Sequence, residues 1–198
     1  MTGQYFEEQP AVASAPRTVR LHTADLDLRF VTDRGVFSFD GIDLGTRVLL
    51  EVAPPPPAGD ALDLGCGYGP IAVALAVRNP AARVWAVDVN ERARALTVQN
   101  AQANNAGNVV VSTPEEIDPE LTFAALYSNP PMHIGKPALH ALLEQWLARL
   151  QPAAHGWLVV QRHLGADSLQ RWLDEHGFGA HRAASRKGYR VFDVTAAE

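Results

Sequence analysis

Cysteine is almost missing from this chain. Cys66 is the one cysteine in 198 residues, so no internal disulfide can close, a usage that fits a reducing compartment. The seven histidines contain no His-x-x-x-His pair, and no Cys-x-x-Cys occurs, so no metal centre is expected. No apolar run approaches the roughly 18–20 residues that span a bilayer. The first residues, 1–16, carry Glu7 and Glu8 and lack the apolar core of a secretory leader; they read as a mobile tail. A cytoplasmic location is the resulting expectation. Excess positive charge is missing too. With a net charge of −5, attraction to phosphate over the whole surface is excluded, and any nucleic-acid contact must rest on a local patch.

What is present describes a globular domain. Hydrophobic residues make up 47% and charged residues 20% of the chain, and its length suits one domain with a full core. Residues 17–198 are therefore expected to form a single domain: strands and a helix over 17–53, a proline connector over 54–59, and a core over 60–198. Residues 18–21 and 26–32 read as two short strands, with Leu26, Leu28 and Phe30 alternating onto one face. Asp43 is a candidate N-cap for a helix running to Val52.

From Asp60 onward the pattern alternates. Strands are expected over 61–64, 83–88, 109–111, 123–127 and 157–161, with helices over 71–77, 91–104, 138–150 and 166–175 between or after them. Two further strands, 178–183 and 189–195, follow each other without a helix. Such alternation predicts an α/β fold, Rossmann-like: a mostly parallel seven-stranded sheet with helices on both faces and an antiparallel C-terminal hairpin.

The chemistry concentrates at two places. Asp63-Leu64-Gly65-Cys66-Gly67-Tyr68-Gly69 joins the first core strand to a helix that Pro70 begins. Glycines suit a loop that turns sharply and lets a ligand approach its backbone. Asp88 ends the next strand at about the 20-residue offset where an acid binds ribose hydroxyls. A dinucleotide loop spaces its glycines as G-x-G-x-x-G; here they run G-x-G-x-G. Asp63 would repel pyrophosphate and suit the cationic amino group of a methionine moiety. The loop therefore points to S-adenosylmethionine, held by Asp63, Gly65, Cys66, Gly67, Gly69, Asp88, Val89 and Asn90. Asn90 has an alternative role as a helix N-cap, and a ligand-free tight turn is the alternative for the loop itself. Adenine recognition is expected near Ser112 and Thr113.

The second place is Ser128-Asn129-Pro130-Pro131-Met132, after the fourth core strand. The prolines fix φ and remove backbone donors, so the carbonyls of Asn129 and Pro130 can face outward beside the Asn129 amide oxygen. Paired acceptors of this kind hold a planar amino group and aim its nitrogen lone pair at a methyl group. Asn129, Pro130, Pro131 and Met132 are the candidate catalytic set, with Asn129 also near the cofactor. His133 and Lys136 could touch substrate, and so could the basic turn Arg186-Lys187-Gly188-Tyr189-Arg190. An ordinary solvated hairpin explains that turn equally. Cysteine-based methylation of cytosine carbon is not expected, because Cys66 lies in the cofactor loop.

At these residues the chain resembles the small-domain methyltransferase group that includes the small-subunit ribosomal RNA guanine-N2 methyltransferases. The likeness covers residues 17–195. It runs from Gly35-Val36-Phe37-Ser38 and Asp40-Gly41-Ile42-Asp43, through the glycine loop, to Ser128-Asn129-Pro130-Pro131 and Gln161-Arg162-His163-Leu164-Gly165-Ala166-Asp167-Ser168. The resemblance implies a class I methyltransferase fold and S-adenosylmethionine as donor, leaving S-adenosylhomocysteine. It further implies transfer to an exocyclic amino nitrogen, guanine N2 of ribosomal RNA. Three positions depart from the group's pattern: Met132 stands where an aromatic residue usually stacks on the base, Thr113 lies where an acid is often found, and Ala124 occupies a second acidic position. A protein glutamine, a small-molecule amine or a non-catalytic cofactor-binding role are the alternatives.

Overall fold

The computed structural model describes residues 12–196, so most of the segment expected as a tail, residues 1–11, lies outside the described residues. Just before the first strand, Ser14 Oγ and the Ala15 amide both donate to the Asp33 carboxylate, at 2.6 and 2.5 Å. Strands β1 (Arg17–His22) and β2 (Asp27–Thr32) form a separate antiparallel hairpin. Leu28, Phe30 and Thr32 alternate into the core, as the period-2 pattern requires. Helix α1 (Leu44–Val52) begins where Asp43 Oδ2 accepts the Thr46 amide at 3.0 Å.

The main sheet contains β3 (Gly59–Leu64), β4 (Ala82–Val87), β5 (Val109–Ser112), β6 (Phe123–Ser128), β7 (Leu150–Gln161), β8 (Gly179–Arg186) and β9 (Tyr189–Thr195). Their spatial order is β5-β4-β3-β6-β7-β9-β8. The first five are parallel, and β9 pairs antiparallel with both β7 and β8. Helices α2 (Pro70–Arg78) and α3 (Glu91–Ala103) join α1 on one face, while α4 (Lys136–Leu147) and α5 (Ala166–Glu175) cover the other. The expected mostly parallel seven-stranded sheet with a terminal hairpin is the observed one. α2 buries every residue from Pro70 to Ala76, which explains its nearly unbroken apolar sequence.

Several boundaries shift, with β7 starting at Leu150 and not Trp157 and β8 running to Arg186, and one shift exchanges helix for strand. The apolar stripe predicts a helix to Leu150, but α4 ends at Leu147 and Leu150 opens a 12-residue strand. The Phe123 amide bonds the Arg149 carbonyl at 2.8 Å, and Leu150 pairs with Phe123, so the ladder to β6 begins there. Leu150 extends the stripe because the same core receives it from either element.

The order reverses between β3 and β6, where one neighbouring strand follows and the other comes from far along the chain. Crevices at such switch points, beyond the carboxyl ends of the strands, are where open α/β sheets bind ligands. The strands are locked there by Ser128 Oγ, which donates to the Leu64 carbonyl at 2.7 Å. The glycine loop after Leu64 and the asparagine after Ser128 are thereby brought side by side.

The β1–β2 hairpin is held to this frame by asparagines on α3. Asn100, fully buried, accepts the Val31 amide at 2.7 Å and donates to the carbonyls of Val31 and Tyr68, both at 2.8 Å. One turn later, Asn104 makes the same pair of bonds with Arg29. Two amides at i, i+4 thus replace a neighbouring strand at the edge of β2 and tie it to the glycine loop. Removing the Asn100 side chain strands buried polar groups, which typically costs about 1–3 kcal/mol. Asn100→Ala is expected to lose that much in urea unfolding, and Asn104→Ala, at a partly exposed site, less.

Candidate active site

A cleft of about 230 Å³ opens at the switch point. Its floor is Leu64, Gly65, Gly67 and Val87; Asp88, Val89, Ala93 and Pro114 line one end, and Asn129, Pro130, Pro131 and Met132 the other. A smaller recess of about 20 Å³ continues between the loop and the start of α1, lined by Asp43, Thr46, Gly67 and Asn129 among others.

The loop geometry follows from its glycines. Gly65 and Gly67 have φ of +77° and +57°, and a Cβ on either would meet nothing within 4 Å, because each faces open space. Here backbone is laid bare to a ligand. Gly69 serves otherwise: at φ +92°, its missing Cβ would lie 2.9 Å from the Thr97 side chain, so it packs the loop against α3 and does not line the cleft. The Asp88 carboxylate accepts the Gly67 amide at 2.8 Å and the Asn90 amide at 2.9 Å, spanning loop and α3. Burial pushes its pKa up, opposed by those two amides. Each oxygen keeps a second acceptor site for a ligand hydroxyl.

Asn129 is held in one orientation. Its Nδ2 donates to Asp43 Oδ2 at 2.8 Å and to Thr46 Oγ1 at 3.3 Å. A carboxylate accepts only, so the amide must turn its nitrogen toward Asp43. Oδ1 is left as the free acceptor. The backbone after it folds back on itself: the Pro130 carbonyl accepts the Met132 amide at 2.8 Å, and the Pro131 carbonyl accepts the Ile134 amide at 3.2 Å. The Pro130 carbonyl, expected to face outward as an acceptor, has one of its two lone pairs occupied by this tight turn.

Other sequence-derived positions are placed differently. Asp63 is fully buried beneath the loop and lines neither cavity. Its Oδ2 accepts the Ala72 amide at 2.8 Å in the first turn of α2, while Oδ1 has no partner among the described residues. Cys66 is buried against Thr97, and burial raises its thiol pKa. Asn90, 1% exposed, caps α3 through the Ala93 amide and donates to the Gly35 carbonyl, the N-cap alternative for this residue. Thr113 forms a capping box with Glu116, and its neighbour Pro114 reaches the cleft instead. His133 lines the cleft; Lys136 does not. In the basic turn, Lys187 lies 3.4 Å from Glu51 and Arg190 lies against Asp167, whereas Arg186 is exposed with no bonding partner among the described residues. Sequence reasoning missed Phe37, Asp43, Gln161 and Leu164 as lining residues, whereas Tyr189, in the turn named as a candidate substrate contact, lines the cleft. The Asp43 N-cap signal was visible; its contact with a residue 86 positions away was not.

The cleft's charge selects its ligand. Among the described lining residues are two carboxylates, Asp43 and Asp88, and no lysine or arginine. A pyrophosphate would find no counter-charge there, while a sulfonium and an ammonium would. These two half-buried acids, and not the enclosed Asp63, disfavour a dinucleotide. Shape agrees: apolar Val89, Ala93 and Pro114 suit a flat base, and Asp88 a diol.

The sequence profile of the family described as "Methyltransferase small domain" matches residues 27–193. The chain belongs to this methyltransferase family. Over 195 residues it is 34% identical to the uncharacterized protein YbxB of Bacillus subtilis (strain 168), covering 96% of this chain and 97% of that one. It is also 35% identical to ribosomal RNA small subunit methyltransferase C of Photorhabdus laumondii, covering 81% of this chain and 48% of that one. The solved T. thermophilus 16S rRNA N2 methyltransferase RsmC, in complex with AdoMet and guanosine, superposes with a TM-score of 0.78 at 24% identity, over 94% of this chain and 52% of that one. This methyltransferase therefore spans about half the length of the RsmC proteins it matches. Its fold is the class I S-adenosylmethionine-dependent methyltransferase fold, and S-adenosylmethionine is the cofactor of the family.

Burial of Asp63 has a pH consequence. Desolvation, reinforced by Asp88 and opposed by the Ala72 amide, raises its pKa from 3.8 to about 8. The folded state then holds a proton that the unfolded state releases, so stability falls as pH rises from about 4 to about 8. Asp63→Asn, which keeps an acceptor for Ala72, is expected to flatten that slope in thermal melts. An unaltered slope would show that the carboxyl is not the group responsible.

Proposed function

We propose that this methyltransferase transfers the methyl group of S-adenosylmethionine to an exocyclic amino nitrogen, that of guanine N2 in ribosomal RNA. The observation that carries the reading is the oriented Asn129 amide, with its nitrogen committed to Asp43 and Thr46. The RsmC relatives support the acceptor class.

When bound, the cofactor supplies a methyl electrophile on a sulfonium. The chain's part is positioning. Gly65 and Gly67 offer bare backbone, Asp88 takes a diol, and Asp43 and Asp88 favour the cationic ligand over its neutral product. Asn129 Oδ1 and the remaining lone pair of the Pro130 carbonyl accept the two hydrogens of a planar amine. That turns the nitrogen lone pair out of conjugation and toward the methyl carbon, at a near-attack separation of roughly 3–3.5 Å. The bound donor would give up its methyl group to that nitrogen and keep the carbon–sulfur electron pair. The alkylated nitrogen then sheds one proton to solvent, and no strong base is needed.

An RNA acceptor needs local cations on an acidic chain. Lys136, Arg162 and Arg186 are exposed and pair with no carboxylate among the described residues. Arg162 follows the cleft residue Gln161, and its amide bonds the Gly188 carbonyl at 2.8 Å, joining it to the turn that carries Arg186. These are the cations we assign to phosphate, in place of Lys187 and Arg190.

Two variants test the mechanism. Asn129→Ala is expected to keep S-adenosylhomocysteine binding in calorimetry and to lose methyl transfer to deproteinised ribosomal RNA. Asp43→Ser retains a good helix cap but is too short to reach Asn129. Its kcat should fall by about 10²-fold, as for a misplaced reacting group, with little change in melting temperature. Label transferred to protein and not to RNA would overturn the acceptor.

A further inference from the structure

The site described so far holds an amine without saying which amine-bearing base it accepts. We infer that Gln161 reads the edge of the base beside the reacting amine and selects guanine; this rests on the amino-nitrogen reading above.

Gln161 ends β7 and lines the cleft, half-buried. The register places it. Tyr127 pairs with Trp157 and Ser128 with Leu158 across β6 and β7, so Asn129 continues opposite Val159, and Gln161 is the next residue on that face. The face is the one α1 covers, since Val159 and Tyr127 share its core. With a rise of about 3.3 Å per residue and about 4.8 Å between strands, the two backbone positions lie about 8 Å apart. Side chains converging from that separation can hold adjacent groups on one base edge. On its other side Gln161 pairs with Tyr189, whose ring packs where a Cβ on Gly45 would sit, at the start of α1.

Both cleft carboxylates are committed, and His133 and Tyr189 are the other polar side chains beside Gln161 and Asn129 in the lining. Asp43 holds Asn129, and Asp88 holds the loop at the cofactor end. The Gln161 amide has no hydrogen-bond partner among the described residues, and its neighbours in the cleft include Met132, Leu142 and Leu164. A lone carboxamide in an apolar setting is a strong selector, because a base that leaves it unpaired is penalised.

Edge chemistry then distinguishes the bases. With its amine on Asn129, guanine presents next a donor, N1–H, and then an acceptor, O6. One carboxamide answers both, through Oε1 and Nε2. Adenine in the same pose presents an acceptor and then a carbon-bound hydrogen, which leaves half the amide unpaired. Cytosine presents two acceptors, which again match only the amide nitrogen. Gln161 thus fits guanine alone in both bonds. Met132 takes the place of a stacking ring in this arrangement, which throws more of the selection onto the edge.

The test measures guanosine, adenosine and cytidine binding to the full chain loaded with S-adenosylhomocysteine. Wild type should prefer guanosine by about tenfold, the discrimination expected of a bidentate pair. In Gln161→Leu the three affinities should converge to within about twofold, with S-adenosylhomocysteine affinity and melting temperature unchanged. Gln161→Glu, which accepts from N1–H but cannot donate to O6, should fall between. No guanosine preference in wild type, or a preference that survives Gln161→Leu, would overturn the inference. Methyl transfer to ribosomal RNA is scored separately: transfer to guanine with normal acceptor KM in Gln161→Leu removes only Gln161, whereas no transfer to RNA removes the acceptor reading.

Discussion

The site depends on one hydrogen bond, from the Asn129 amide to the Asp43 carboxylate. Asp43 starts α1, and Asn129 follows the strand at the centre of the sheet, 86 residues later. The same oxygen accepts the Thr46 amide in the first turn of the helix and the Asn129 side-chain nitrogen. It therefore joins secondary-structure capping to chemistry: the helix cannot leave without releasing the amide, and the amide cannot turn without losing its charge-assisted bond. The N-terminal segment, which contributes no strand to the main sheet, is thereby made part of the active site.

A second constraint is electrostatic. Three carboxylates gather around the loop, and burial decides what each can do. Asp63, fully enclosed, is pushed toward the neutral form and stabilises the first turn of α2. Burial raises Asp88 as well, opposed by two backbone amides, and Asp43 stands at the cleft wall. The acids that a ligand meets are Asp43 and Asp88. A cationic donor gains from them, and its neutral product does not, which favours exchange after each turnover.

Much of this was legible in the residues. The alternating pattern from Asp60 reports strand and helix periods directly, because side chains repeat every two or 3.6 residues whatever lies across from them. The glycine spacing reports backbone that must turn, and Asn-Pro-Pro reports one with few donors. What misled was polarity read without partners. Lys187 and Arg190 look like phosphate ligands in a basic turn, but Glu51 and Asp167 lie against them from other elements. Leu150 looks helical because an apolar stripe does not record whether the core is reached from a helix or a strand.

Sequence alone, then, determined the architecture, the family and the loop, since each is written in local spacing. Only the tertiary structure decided which residues face the cleft. Gln161 and Tyr189 share the cleft with Asn129 because β7 and β9 pair beyond the switch point, and Asn90 turns away because its amide completes a helix cap. Such facts lie in contacts between distant segments. A hydrogen-bonding group has the same appearance in the sequence whether its partner is another side chain or a substrate.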